Sequence, residues 1–246
     1  MNEDIIIGRN PVREALEAGR EMNKLLVLQE SKDRPLQKII DMAKEKRLPI
    51  QFVDRKKLDK VADGGNHQGI IAYVAAYEYV EKEALLEAAR LKDEPPLLII
   101  CDEINDPHNL GSILRTANAV GAHGVIIPKR RAVALSQTVA KTSCGAIEYV
   151  PVCRVSNLAQ TMDWLKEQGV WIAGTDMEGE LYHKANLKGS LAIVIGNEGE
   201  GISRLVKEKC DFVISIPMLG EVSSLNASVA TGVILYEVLR QRNASK

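Results

Sequence analysis

Three stretches of the chain combine polar side chains with small or helix-starting residues in the way a ligand-binding loop requires. The first is Asp102-Glu103-Ile104-Asn105-Asp106-Pro107-His108-Asn109-Leu110-Gly111-Ser112-Ile113-Leu114-Arg115-Thr116-Ala117. It follows an apolar run and enters a helical pattern, so Asn109 falls near a helix start and Arg115 lies among apolar neighbours. Two readings are open here: a capped helix with a snorkelling arginine, or a guanidinium set beside a phosphate-bearing substrate. The second stretch is Ile195-Gly196-Asn197-Glu198-Gly199-Glu200-Gly201-Ile202-Ser203. Its glycines would let backbone approach a ligand closely, or would simply make a turn. The order G-x-x-G-x-G, interrupted by Glu198 and Glu200, is not the dinucleotide fingerprint. Carboxylates repel a pyrophosphate, so a nicotinamide cofactor is disfavoured, and no Walker A loop is present. The third stretch runs from Ile216-Pro217-Met218 through Ser224-Leu225-Asn226 to Ala230. Ser224 reads as an N-cap, and Ser224 with Asn226 places two polar groups where a strand gives way to a helix.

These loops need elements to hold them. Short apolar runs at 97–101, 125–127, 149–152, 170–174, 191–196 and 212–216 are bounded by turn residues, as strands buried on both faces of a parallel sheet would be. Helical patterns lie between or after them at 113–120, 158–168 and 225–240. The expectation is a doubly wound α/β domain over 96–246, with its loops at the carboxyl ends of strands, where such sheets bind ligands. Upstream, strands at 5–7, 25–28, 50–53 and 70–74 alternate with helices at 11–18 and 36–46. Pro11 suits a first helical turn and Gly19 a C-terminal stop, so residues 1–77 read as a small α/β domain. Between them, 78–95 is acidic, Ala/Leu-rich and ends in Pro95-Pro96. It reads as a partly helical linker without a wide apolar face.

Composition narrows the function classes. With 246 residues, 46% apolar and 26% charged, the chain is long enough for two modest globular domains. No apolar run approaches the roughly 18 residues of a membrane span. The start, Met1-Asn2-Glu3-Asp4, is acidic where a secretory signal is basic, which points to the cytoplasm. Cys101, Cys144, Cys153 and Cys210 form no CxxC pair, so reduced thiols fit better than zinc or disulfides. Net charge is −1. Residues 1–77 carry 14 Lys/Arg against 12 Asp/Glu, and 95–246 carry 15 of each. The runs Arg55-Lys56-Lys57 and Lys129-Arg130-Arg131 are either solvated faces or phosphate contacts; charge permits RNA binding without establishing it.

In order and spacing, the three stretches resemble the three motifs of the SpoU/TrmH family of RNA ribose 2′-O-methyltransferases, within the SPOUT superfamily. The resemblance covers essentially all of 96–246. Residues 1–77 resemble the substrate-binding domain found upstream in that family, with Gly8-Arg9-Asn10-Pro11-Val12 and His67-Gln68-Gly69-Ile70 as landmarks. The layout looks most like the bacterial branch acting on guanosine in 23S ribosomal RNA, whose small domain is L30e-like. The resemblance implies a trefoil knot, an exception to unknotted chains, and a homodimer with S-adenosylmethionine as methyl donor. It implies an active site of Asn109, Arg115, Glu198, Ser224 and Asn226, with Gly196, Ile216 and Leu225 holding the donor's adenosine and no metal. Family proposals make the arginine a general base. A guanidinium almost never loses its proton, so Arg115 is read here as binding phosphate and stabilising alkoxide charge. Asn109, Ser224 and Asn226 would position the hydroxyl, and Glu198 would orient other site residues. Methylation of transfer RNA and a non-catalytic RNA-binding role are the alternatives.

Other residues receive plainer readings. His67 and His108 lie near loops and suit ordered hydrogen bonds; His123 and His183 have no ligand pattern around them. Met177 and Met218 are taken as packing residues, although Met218 lies in the third motif, and Trp164 and Trp171 as core.

Overall fold

The computed structural model describes residues 4–20, 22–29, 33–46, 48–74 and 77–244, so the first three residues of the acidic start lie outside the described residues. In chain order the elements are β1 (Asp4–Ile7), α1 (Arg9–Glu17), β2 (Met22–Leu28), α2 (Arg34–Glu45), β3 (Ile50–Val53), α3 (Arg55–Ala62), β4 (Ile70–Val74), α4 (Lys82–Leu91), β5 (Leu97–Cys101), α5 (Pro107–Ala119), β6 (Gly124–Pro128), α6 (Gln137–Thr142), β7 (Val152–Val155), α7 (Leu158–Glu167), β8 (Trp171–Leu181), β9 (Leu191–Ile195), α8 (Arg204–Glu208), β10 (Phe212–Ser215) and α9 (Ala227–Asn243). Their contacts divide the chain into two compact units, residues 1–77 with 135–149, and residues 78–134 with 150–246.

The first unit is built on a four-stranded sheet in the order β1-β4-β2-β3, antiparallel except for the parallel pair β2/β3. One face packs Val12 and Leu16 of α1 and Leu36 and Ile40 of α2 against Leu25, Val27, Ile70 and Ala72. The other face receives Leu58 and Ala62 of α3 against Leu26 and Ile71. Helix α3 has no counterpart in the sequence reading, because its Arg-Lys-Lys-Leu-Asp-Lys-Val-Ala run buries just those two side chains. Its start is fixed by the Asp54 carboxylate, which accepts a hydrogen bond from the Lys57 amide at 2.8 Å. Residues 135–149 add α6 and a 3₁₀ turn at Ala146–Glu148. There Arg20 Nη1 donates to Glu148 Oε1 at 2.7 Å, with side chains 11% and 8% exposed. Gly145 sits against Glu14 at φ 95°, where a Cβ would come within 2.4 Å of the Glu14 Cγ, so no other residue fits that approach.

The second unit holds a six-stranded, all-parallel sheet in the order β10-β8-β9-β5-β6-β7. Every residue of β5 and β9 is buried, as the unbroken apolar runs require. On one face Leu98, Ile100, Ile126 and Val194 pack under Leu158, Met162 and Leu165 of α7. The alternate side chains Leu97, Ile99 and Cys101 are equally buried; by strand periodicity they face the other way. Helices α5 and α9 pack against each other.

Two departures from the sequence reading and one refinement matter. The segment expected to be a partly helical linker does contain a helix, α4, and its Leu85 is fully buried in the same cluster as Leu98 and Ile126. A stripe only two residues wide (Leu85 and Ala89) is enough to dock a ten-residue helix. The strand expected at 149–152 begins later, as β7 at Val152, because 146–148 close a 3₁₀ turn and Pro151 has no amide to give a ladder. Strand β8 runs on past 174 to Leu181, and Gly179 lets the β10 backbone lie against it: a Cβ there would be 2.6 Å from the Ile214 carbonyl carbon.

Docking of α4 gives a direct test. Leu85→Ala should lower the unfolding free energy of the second unit by about 2–5 kcal/mol through an unfilled cavity. Leu91→Ala, at a side chain 76% exposed, should change it by less than about 0.5 kcal/mol. Urea denaturation of both variants measures the difference.

Candidate active site

The strand order places the site. From β5 the chain moves outward to β6 and β7, then returns to build β8 and β9 on the other side, so the direction of winding reverses between β5 and β9. The carboxyl ends of two such strands diverge into a crevice. The loop after β5 leads into α5, whose first turn is set by Asp106 accepting from the His108 amide at 2.8 Å, with Pro107 in the first turn. That start buries Asn109, 7% exposed, in the third helical position.

The loop after β9 turns back on itself: Asn197 and Gly201 exchange both backbone hydrogen bonds, at 3.0 and 2.8 Å. Gly196 is pressed so closely against this turn that a Cβ would lie 2.2 Å from the Gly201 carbonyl carbon. Two bonds fasten the turn to the first loop. Asn197 Nδ2 donates to the Glu103 carbonyl at 3.3 Å, and the Ser203 amide donates to the Asp102 carboxylate at 2.7 Å.

The three stretches then meet at one carboxylate. Glu198 Oε1 accepts from Asn109 Nδ2 at 2.9 Å, from the Ala227 amide at 3.2 Å and from Asn226 Nδ2. Asn226 Nδ2 also donates to Asn109 Oδ1 at 2.9 Å. Asn226 is the N-cap of α9, its Oδ1 accepting from the Ser228 and Val229 amides at 3.0 and 3.3 Å. The sequence reading gave the cap to Ser224. The reason for the difference is local: Asn and Ser cap equally well, and Asn226 alone reaches both the helix amides and Glu198. Ser224 instead directs Oγ to the Glu198 carbonyl at 3.5 Å.

Beside this junction lies a cleft of about 220 Å³. Gly196, Ile216 and Leu225 line it, as do Glu198 and Ser224. Asn109 is buried in the junction and Asn226 is exposed beside it; neither is part of the lining. Arg115 is on the exposed side of α5 and is not part of the lining. Residues that the sequence reading did not assign to the site also line the cleft: Thr175, Asp176 and Met177 (the last read as packing) on the extended part of β8, with Glu200 and Ser223. The signal that could have found the first three is Gly179, whose strand-interior position marks a close backbone crossing. Met177, 67% exposed, and Met218 are cleft residues rather than core, and Trp171, 63% exposed, is a surface residue.

The remaining candidates have structural partners. His67 accepts from the Gly69 amide through Nδ1 and lies 3.0 Å from Asp59 through Nε2. His123 accepts from the Leu97 amide in a buried position. Burial pushes the Cys101 thiol up to about 12 and Cys153 to about 11, so neither is a nucleophile at neutral pH. Among the described residues no group of three His, Cys, Asp or Glu side chains could hold a metal ion, and no helix is long and apolar enough to cross a membrane.

Chemically, a cleft with apolar walls (Ile195, Ile214, Ile216 and Leu225) accepts a flat ring system, and Glu200 favours a ligand that carries positive charge, whereas the Asp176 carboxylate is already paired with Lys207 at 2.8 Å. Both features match a nucleoside bearing a sulfonium and an ammonium.

Comparison with known proteins agrees with this geometry. Residues 96–236 match the model of the SpoU rRNA Methylase family, and residues 5–80 match RNA 2'-O ribose methyltransferase substrate binding. YacO of Bacillus subtilis (strain 168), named for the TrmH family of tRNA/rRNA methyltransferases, is 54% identical over 242 residues, covering 98% of this chain and 96% of that one. The SpoU methyltransferase AviRb from Streptomyces viridochromogenes, crystallised with AdoMet, superposes with a TM-score of 0.82 at 27% identity, covering 98% of this chain and 91% of that one. A crystal structure of an RNA 2'-O ribose methyltransferase gives a TM-score of 0.77 at 29% identity, covering 96% and 88%.

The double role of Asn226 can be separated by mutation. Asn226→Ser keeps an oxygen for the α9 amides but loses the donors to Asn109 and Glu198, whereas Asn226→Ala loses both. Asn226→Ala should be less stable than Asn226→Ser by about 1 kcal/mol in thermal or urea unfolding. Equal stabilities would show that the cap contributes nothing.

Proposed function

Because the chain belongs to the SpoU/TrmH family of S-adenosylmethionine-dependent RNA ribose 2′-O-methyltransferases, we propose that it methylates the 2′-hydroxyl of a guanosine in 23S ribosomal RNA, in the cytoplasm and as a homodimer. In this reading residues 1–77, with an L30e-like fold, receive the RNA, 78–95 connect, and 96–246 form a knotted catalytic domain. The observation that carries it is the convergence of three loops on Glu198 beside the cleft. A match of residues 5–80 to a substrate-binding model for ribose methyltransferases supports the RNA-binding assignment. Exposed Val229 and Tyr236, seven residues apart on α9, support a second copy covering that face.

When bound, S-adenosylmethionine supplies an electrophilic methyl group, and the apolar walls with Gly196, Ile216 and Leu225 would hold its adenosine. What remains for the protein is to align the ribose oxygen and to favour loss of its proton, a weak acid's proton. Asn109 and Asn226 have their amides committed to each other and to Glu198, so they serve as positioning residues for the frame. Ser224, exposed at the cleft, positions the hydroxyl. Arg115 binds the phosphate of the target nucleotide and stabilises negative charge developing on the 2′-oxygen.

Mapping of ribose methylation in ribosomal and transfer RNA, from cells with and without the gene, tests the substrate. Loss of one 2′-O-methylguanosine from 23S RNA is expected; an intact ribosomal map with a missing transfer RNA methyl would replace this reading by the transfer RNA one. For Arg115, the Lys variant should lose at least about tenfold in kcat, since an ammonium cannot offer the planar pair of donors. Full transfer with an unchanged pH profile would remove the guanidinium from the mechanism.

A further inference from the structure

The cations that follow β6 have no part in the site as described. Strand β6 lies parallel and adjacent to β5, so its carboxyl end opens on the same edge of the sheet as the cleft. There Lys129, Arg130 and Arg131 stand in succession, all exposed.

The turn is fastened at three points. Its entry is held by the Lys129 amide, which donates to the Val155 carbonyl at 2.7 Å, and by Arg154 Nη2, which donates to the Lys129 carbonyl at 3.2 Å. Its exit is held by the Val133 amide, which donates to the Ile104 carbonyl of the β5 loop at 2.9 Å. Between these points Arg131 adopts φ 56°, a conformation that costs a side-chain-bearing residue on the order of 1 kcal/mol or more. Its Nη1 lies 3.2 Å from Glu103 Oε1, although the arginine side chain is 81% exposed. Glu103 is itself left-handed, at φ 57°, and its carbonyl is the one that receives Asn197 of the cleft loop. The cationic turn is thereby built into the same hydrogen-bonded framework as the cleft.

An exposed ion pair stabilises a fold very little, so stability does not account for a cation run held this firmly. Resting on the reading that the substrate is RNA, we propose that Arg130 and Arg131 grip the RNA backbone beside the target nucleotide, with Glu103 holding the Arg131 guanidinium in place until a phosphate takes it over. Planar guanidinium groups suit phosphate oxygens, and contacts of this type position a substrate without reading its bases.

Counterion release gives the test. Filter binding of purified 23S RNA, measured across a salt series, yields the slope of log K against log salt. Arg130→Ala/Arg131→Ala should make that slope shallower by about 1.4–1.8, at roughly 0.7–0.9 per lost phosphate contact. It should also weaken binding at least about tenfold at low salt, while calorimetric uptake of S-adenosylmethionine is unchanged. Arg130→Lys/Arg131→Lys should keep the parental slope, because the slope counts charge. An unchanged slope in the Ala variant, with RNA still bound, overturns the proposal and leaves the run to an acidic protein partner or to solvent. Absence of RNA binding by the parent protein would instead overturn the functional reading on which it rests.

Discussion

A single carboxylate oxygen ties the loops of the second unit together. Glu198 Oε1 collects donors from residues 89 positions upstream and 28 downstream, and from the first amide of the last helix. Each of these donors comes from a segment with its own strand behind it, so the geometry of the junction is set by the sheet and not by the loops. Charge-assisted hydrogen bonds of this kind are about twice as strong as neutral ones. Losing the shared acceptor would leave the buried Asn109 amide and the first amide of α9 without their partner, while the exposed Asn226 would keep Asn109 as its acceptor.

The framework explains why the glycines sit where they do. Gly196 is placed where the returning turn leaves no room for a Cβ, and Gly179 where one strand lies directly on another's backbone. Both close approaches bring chain segments nearer than side chains would permit, and the cleft is the space left beside them. Asp102 adds a buried carboxylate that takes up the Ser203 amide, so the floor of the cleft is hydrogen-bonded on the side of β5 as well as on the side of α9.

Much of this arrangement was legible in the residues themselves. Unbroken apolar runs marked β5 and β9, and polar, glycine-bearing stretches after strands marked the loops that converge. What escaped reading depends on partners distant in the chain. Helix α3 buries two side chains in a cationic run, and α4, whose helical character was legible, docks through a stripe too narrow to announce its burial. The return of 135–149 to the first unit rests on Arg20 meeting Glu148, 128 residues away. The confusion of Ser224 with Asn226 as a cap has a similar origin: capping propensity is local, whereas the choice was made by Glu198. Met177 reads as packing in the sequence, and lines the cleft instead, because β8 continues beyond its apolar run.

Asn226 links two events usually kept apart. The amides of Ser228 and Val229 are covered by its side-chain oxygen while its nitrogen holds the junction. Those two protons exchange with solvent when the oxygen swings away, and the same rotation pulls the nitrogen off Glu198. Exchange protection at the start of α9 is therefore a built-in gauge of the free energy that keeps the pocket assembled, readable without any substrate present.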